Sequence, residues 1–295
     1  MKWTKLEICN TIARVWGLDY GTLTAAEQTA MNVNINSIIE DICIAGKIPM
    51  LKKWAIINAI AQYNTGTVTI ATANGVSTVT GLGTTWTADM IGRKIIITGF
   101  AIAYTVATVA NGTTLTLQEV FVNTTDNSNA LATATAYTIV QNIYTLASDF
   151  ASFAEREVFD LTNGLRLEVK DSVDFDNEQP NRTILGGSNY VVPRGLDSTG
   201  LLQVQIDPSP ITPRLIKYAY YLMLPKMVND TDTCILPIQN AIISGGTYKM
   251  ALTKESDKST KIDQFFKYYE RDLELLRNAG RIPAQFKGGA GGEGN

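Results

Sequence analysis

Histidine is absent from the chain. That excludes Ser-His and Cys-His nucleophile pairs and removes the commonest metal ligand. Carboxylate, lysine and Mg²⁺ chemistry remain open, but an enzyme becomes the less favoured class. Cysteine is scarce: Cys9, Cys43 and Cys234 are far apart, odd in number and form no C-x-x-C. Cys9 and Cys43 fall in apolar helical patterns, so all three are expected to be buried, inert thiols, as suits a reducing compartment. The opening MKWTKLEICN lacks the apolar stretch of a signal peptide. No run approaches the ~18 apolar residues of a membrane span. A basic surplus is missing too, the net charge being −3. That argues against a dedicated nucleic-acid binder, though not against passing contact with DNA.

The chain has 295 residues with 45% hydrophobic content, enough to bury the core of one or two domains. Thr4-Lys5-Leu6-Glu7 is a capping-box pattern, in which hydroxyl and carboxylate satisfy free backbone N–H groups reciprocally. Leu6, Cys9, Ile12, Ala13 and Trp16 then recur at helical spacing as far as Gly17. The signal repeats at Thr24-Ala25-Ala26-Glu27, with Met31, Ile35, Ile38, Ile39 and Ile42 on one face and Gly46 as the stop. Together these predict a helical hairpin. The apolar run Trp54–Tyr63 is ambiguous by period and is assigned to a strand, because the residues after it are β in character.

Composition shifts at Asn64. From there to Val140 the only charged residues are Asp89, Arg93, Lys94, Glu119 and Asp126. Short β-branched or alternating runs are divided by Asn74-Gly75 and Asn111-Gly112, the strongest short hairpin signal. Residues 64–140 are therefore expected to form an inserted all-β barrel or sandwich. Gly81-Leu82-Gly83 within it is not a dinucleotide fingerprint, because Thr84-Thr85-Trp86 stands next in place of a helix start. No Gly-Lys-Ser/Thr phosphate loop occurs. The two glycines are read as a turn or bulge, and Trp86 as closing one end of the β core.

Beyond Val140 the chain is mixed. LRLEVK (165–170) and LLQVQI (201–206) alternate as strands. The acidic stretch with Asp171, Asp174, Asp176 and Glu178 lacks EF-hand spacing and reads as a solvated loop. Two helices close the sequence. Pro237 suits a first helical position, and Ile238, Ala241, Ile242, Gly245, Lys249 and Leu252 trace a face. Gly245-Gly246 inside a helix costs ~1 kcal/mol per residue relative to Ala, so a close-packed neighbour or a break is expected there. Ile262, Phe265, Phe266, Tyr269, Leu273 and Leu276 form the last apolar face, with Gly280 as cap. The final GGAGGEGN is expected not to pack.

These residues resemble the head-to-tail adaptor proteins of tailed bacteriophages, the tail tubular protein A type included. The likeness lies in the opening hairpin leading to Lys53-Trp54, in Leu146-Ala147-Ser148-Asp149-Phe150 and in Asp207-Pro208-Ser209-Pro210. Its most specific part is Tyr218 to Lys226 followed by Asp230-Thr231-Asp232-Thr233 and Leu236-Pro237. Ala147 stands where the family has proline. VSTVTGLGTTWTADMIGRKIIITG is similar to a β module often inserted in phage tail and adaptor proteins. None of these motifs is catalytic, so the inference is one of fold.

The resemblance implies an α+β fold: a helical-bundle adaptor core with a small antiparallel sheet (1–63 and 141–280), the β insert (64–140) and a C-terminal docking arm (281–295). It implies a structural virion protein, not an enzyme, without cofactors or metal. Copies would form a ring of about twelve beneath the portal, pass double-stranded DNA transiently and contact a tail or nozzle protein or tail fibres. Membranes play no part. Assembly would occur in the host bacterial cytoplasm, and the mature location is the virion neck. The arm residues Arg281, Ile282, Pro283, Phe286 and Lys287 are expected to dock on the portal, Ile282 and Phe286 as apolar anchors. The insert's low charge points to contact with a neighbour or a fibre.

A rival class is a carbohydrate-binding or fibre-attachment protein, with Tyr218, Tyr220 and Tyr221 stacking on sugars and Glu155, Glu157 and Asp160 as carboxylates. A nuclease finds no metal-ligand constellation in the sequence. Truncation after Gly280 is expected to abolish portal binding in a pull-down; unchanged binding would reject the arm.

Overall fold

The computed structural model describes residues 3–45, 47–178, 184–236, 239–254 and 259–278. The expected positions Gly46, Pro237, Ile238 and Gly280, and the whole arm with Arg281, Ile282, Pro283, Phe286 and Lys287, lie outside the described residues.

Helices α1 (Lys5–Val15) and α2 (Ala25–Ala45) open the chain, followed by strand β1 (Lys52–Ala59). Seven strands come next: β2 (Thr67–Ala73), β3 (Val76–Leu82), β4 (Lys94–Ile97), β5 (Ala103–Asn111), β6 (Thr114–Leu117), β7 (Leu131–Thr135) and β8 (Tyr137–Val140). Then come β9 (Ile143–Thr145), β10 (Phe150–Asp160), β11 (Leu165–Arg166), β12 (Glu168–Val169) and helix α3 (Ser172–Glu178). The last strands are β13 (Leu185–Gly186), β14 (Tyr190–Leu196), β15 (Leu202–Asp207), β16 (Ser209–Pro210) and β17 (Arg214–Leu222); α4 (Asn240–Lys254) and α5 (Ser259–Asn278) close the chain.

The chain divides into two units. The first takes Met1–Lys53, Asp149–Ala154 and Tyr220–Asn295; the second takes Trp54–Ser148 and Glu155–Ala219. The divisions at 53/54, 154/155 and 219/220 fall within β1, β10 and β17.

In the first unit the local signals act as their chemistry dictates. Thr4 caps α1, its hydroxyl accepting from the Glu7 N–H at 3.2 Å while Glu7 accepts from the Thr4 N–H at 2.7 Å. Thr24 and Glu27 repeat the exchange, at 3.3 and 3.0 Å. Ile8, Ile12, Ile35, Ile38, Ile42, Ala241 and Ile242 are buried in one core. The glycine pair in α4 has its close neighbours. A Cβ on Gly245 would lie 2.8 Å from Ile38 Cδ1 and 2.9 Å from Tyr269 Cε2, and one on Gly246 would lie 2.6 Å from Ile12 Cδ1. The missing side chains let α4 approach α1, α2 and α5 more closely than alanine would permit. Cys9, Cys43 and Cys234 are free and buried, and burial pushes all three thiols up.

In the second unit, β2 to β8 form one antiparallel sheet in the order β7-β2-β3-β6-β5-β4-β8. Only Ala136 separates β7 from β8, so the two edges of the sheet are successive pieces of chain and the sheet must curl. Asn74 and Gly75 both have positive φ, as a two-residue hairpin between β2 and β3 requires. Trp86 is buried and donates to the Tyr137 hydroxyl at 2.9 Å, which donates in turn to the Thr65 carbonyl at 2.8 Å. Gly81 lies under that ring: a Cβ there would sit 2.9 Å from the Trp86 side chain. The Gly-x-Gly stretch is therefore a packed turn. Separate sheets run β12-β14-β15-β9 and β13-β16.

The expected helical-bundle core with a small sheet is overturned. Seventeen strands stand against five α-helices among the described residues, and the chain is mostly β. The β2–β8 sheet is a curled seven-stranded half-barrel, neither a closed barrel nor a two-sheet sandwich. The physical reason lies in residues 143–222. Their aromatic and β-branched runs find strand partners far along the chain, as when β17 pairs between β1 and β10. The acidic stretch is also corrected. It is helix α3, fixed by Phe175, which is fully buried, and not a solvated loop.

The Gly245 site sorts two opposed effects. Alanine gains helix propensity of about 1 kcal/mol, but crowding a packed ring costs roughly 1–3 kcal/mol. Gly245→Ala is expected to lower stability in urea titrations by about 1 kcal/mol net. Gly246→Ala, which displaces only a terminal methyl, is expected to be nearly neutral.

Candidate interaction surface

Asp149 gathers three separate segments of the first unit. Its carboxylate lies 2.8 Å from Lys53 Nζ and accepts from the Tyr220 hydroxyl at 2.6 Å, while its carbonyl accepts from the Met223 N–H at 2.6 Å. Phe150 stacks on Tyr220 with ring centroids 5.7 Å apart. Burial pushes the Asp149 carboxyl up, but hydrogen bonds from Lys53 and Tyr220 and the Lys53 charge outweigh it and hold the pKa low.

The chain beyond Tyr220 is pinned residue by residue. The Leu224 N–H points at Cys43 Sγ (3.4 Å), and Asn36 exchanges two bonds with the Met227 backbone at 2.8 and 3.1 Å. Asp232 accepts from the Asn229 and Val228 N–H groups, which hold its carboxyl below the usual value. Lys5, almost fully buried, donates to the Val228 carbonyl at 2.7 Å and pairs with Asp230 at 3.1 Å. The result is a rigid turn that holds Val228 in solvent beside the equally exposed Val33.

The second unit carries an apolar sheet face. Trp54 and Ile56 on β1, Leu215 and Lys217 on β17, and Phe159 on β10 share it by strand alternation. Lys217 Nζ sits 4.2 Å from the centre of the Trp54 ring, and Trp54 and Phe159 lie 6.4 Å apart. Trp54, Ile56 and Leu215 remain 45%, 53% and 46% exposed, so the patch is open to solvent. Behind the sheet, Arg214 pairs with the fully buried Asp160 at 2.6 Å.

Three of the rival sugar-binding residues, Tyr218, Tyr220 and Asp160, are committed elsewhere. Tyr218 and Tyr220 are buried. The Tyr218 hydroxyl accepts from the Ala147 N–H at 2.9 Å, and the Tyr220 hydroxyl is bound to Asp149. Asp160 also accepts from the Thr162 and Asn163 N–H groups. Glu155 and Glu157 lie on β10, and Tyr221 at the end of β17. Among the described residues no group of three or more His, Cys, Asp or Glu could hold a metal ion, and no helix is long and apolar enough to cross a membrane.

Sequence reasoning missed the Asp149 node, which depends on pairings up to 96 residues apart. The apolar sheet face did have a signal: KKWAIINA is apolar on both alternating sides, more than one buried face needs. No family model matches the chain, and no curated protein matches it.

Asp149→Asn is expected to cost about 1 kcal/mol at neutral pH, the low end for charge-assisted bonds because Lys53 and Asp149 are partly exposed. The folded pKa is depressed, so the contribution is complete above the unfolded value of about 3.9 and vanishes as pH falls through the folded value. Wild-type and variant melting temperatures are therefore expected to converge in acid. A gap that stays constant on acidification would show that the charge is not the cause.

Proposed function

We propose that this chain is a subunit of a head-to-tail adaptor ring in a tailed bacteriophage, joining the portal to the tail and continuing the DNA channel. One observation supports the reading best. Three of the stretches that resemble adaptors, Lys53-Trp54, Leu146–Phe150 and Tyr218–Lys226, meet at Asp149 through Lys53 and Tyr220. Motif residues that bind one another act as a fold signature, not as a substrate site. The exposed sheet face and the rigid Val228 turn then serve as surfaces for other proteins.

On this reading the partners are further copies of the chain, about twelve to a ring, together with the portal and a tail or fibre protein, all in the virion neck. The subunit is structural and takes no cofactor. A channel wall that lets DNA slide benefits from having no basic surplus, since each phosphate-neutralising cation adds salt-sensitive affinity.

Negative-stain imaging and sedimentation of the concentrated, purified chain test the proposal. The expected result is closed rings of uniform copy number with a bore wide enough for duplex DNA. A species that stays monomeric at every attainable concentration would overturn it.

A further inference from the structure

Two features of the second unit complement each other. The first is the open sheet face. Its exposed Trp54, Ile56 and Leu215 together present roughly 300 Å², comparable to the largest apolar patch of a typical monomer, which is often functional. Two cations of this unit lie on the same side: Lys217 over the Trp54 ring, and Arg166, which pairs directly opposite Phe159 in the β10–β11 register. Glu157 is the one carboxylate of described placement that shares this side by alternation on β10.

The second feature is α3. Its sequence SVDFDNE carries three carboxylates and no cation, and Asp171 precedes it. The helix is held firmly against its own unit. Phe175 is fully buried, with the Arg194 guanidinium 5.4 Å from its ring centre; Asp176 pairs with Arg194 at 2.8 Å, and Glu178 pairs with Lys170. Those bonds occupy the rear carboxylates. Val173, 65% exposed, and the exposed Asp174 are left on the outer side as a small apolar ridge beside a negative charge.

We propose that the Trp54–Lys217 sheet face of one copy receives the Val173–Asp174 ridge of the next copy. Val173 covers the apolar floor between Trp54 and Leu215, and Asp174 meets Lys217 at its edge. The choice of a second copy rests on the ring reading; the charge match and the exposed valine supply the specific occupant. Because the two surfaces differ, the contact is heterologous. Each copy offers one face and one ridge, and a contact between unlike surfaces propagates and can close. The patch is well below the ~800 Å² per partner of a standard interface. A single contact is therefore weak, and ring closure supplies the remaining stability through effective concentration.

Sedimentation of the full chain at low salt tests this with four variants whose folding is checked by circular dichroism: Trp54→Ala, Lys217→Glu, Asp174→Lys and the double reversal Lys217→Glu/Asp174→Lys. The expected result is self-association weakened at least tenfold by Trp54→Ala, weakened by each single reversal, and restored by the double one. Rings that persist unchanged in the single reversals, or a double reversal that fails to rescue, would overturn this contact and leave the ring reading standing. The expected reversal pattern with open filaments in place of closed rings would uphold the contact and overturn the ring. No self-association by the wild-type chain would overturn both.

Discussion

A partly buried carboxylate must find donors or lose its charge, and Asp149 finds them on two distant parts of the chain, so that three segments meet. Lys53 stands at the end of the helical opening, Asp149 before β10, and Tyr220 near the end of β17. One charge-assisted bond is modest in water-exposed surroundings, but this group ties together segments far apart in sequence. Its backbone carbonyl adds the Met223 bond, and the Phe150–Tyr220 stack shields one side. The turn from Leu224 to Cys234 starts from that point. Further contacts along it go to Cys43, Asn36, Asp232 and Lys5.

The features legible in the sequence were those that act within a few residues. Both capping boxes form, because Thr and Glu three apart need only one helical turn to meet. The Asn74-Gly75 hairpin forms because positive φ is a local property. The α2 face of Met31, Ile35, Ile38, Ile39 and Ile42 is buried as its spacing demands, and so are Cys9, Ile12 and Ala13 of α1, but Leu6 is exposed and Ile8 stands in the core instead. The glycine pair in α4 announced a close neighbour, although not that Ile38, Tyr269 and Ile12 would supply it. Strand partnership is different. Nothing in Phe150–Asp160 says that it will lie between β17 and β11, since the partners are chosen by packing across the chain. Reading those residues as a minor sheet beside a bundle gave the helices too much weight. The acidic run misled for a related reason: one phenylalanine among four carboxylates was enough to seat a short helix.

The seven-stranded sheet shows how topology can do the work of composition. Its sequence is poor in charge and rich in threonine, which alone predicts only strands. The curl arises from β7 and β8 being separated by one residue while bonding at opposite ends of the sheet, to β2 and β4. Trp86 then fills the interior, with its indole N–H satisfied by Tyr137 so that no buried donor is left open on that ring. The glycine at position 81 is needed for that ring's approach. A phosphate site would have required those backbone groups to face outward; here the turn is packed under an aromatic plug.

An adaptor built from such parts would divide its tasks by strength. Interactions inside each unit are firm charge-assisted pairs: Asp160 with Arg214, Asp149 with Lys53 and Tyr220, Asp176 with Arg194. The remaining surface features are smaller and less committed, namely one exposed tryptophan with a lysine over it and single valines held by firm scaffolds. Contacts of that size suit assembly that must correct itself, because a misplaced copy can leave before the last one closes the circle. Once closed, breaking any one contact no longer frees a subunit, and weak links become a durable joint. Rigid units joined by modest, directional contacts are thus a physically coherent route to a ring that forms reversibly and then holds.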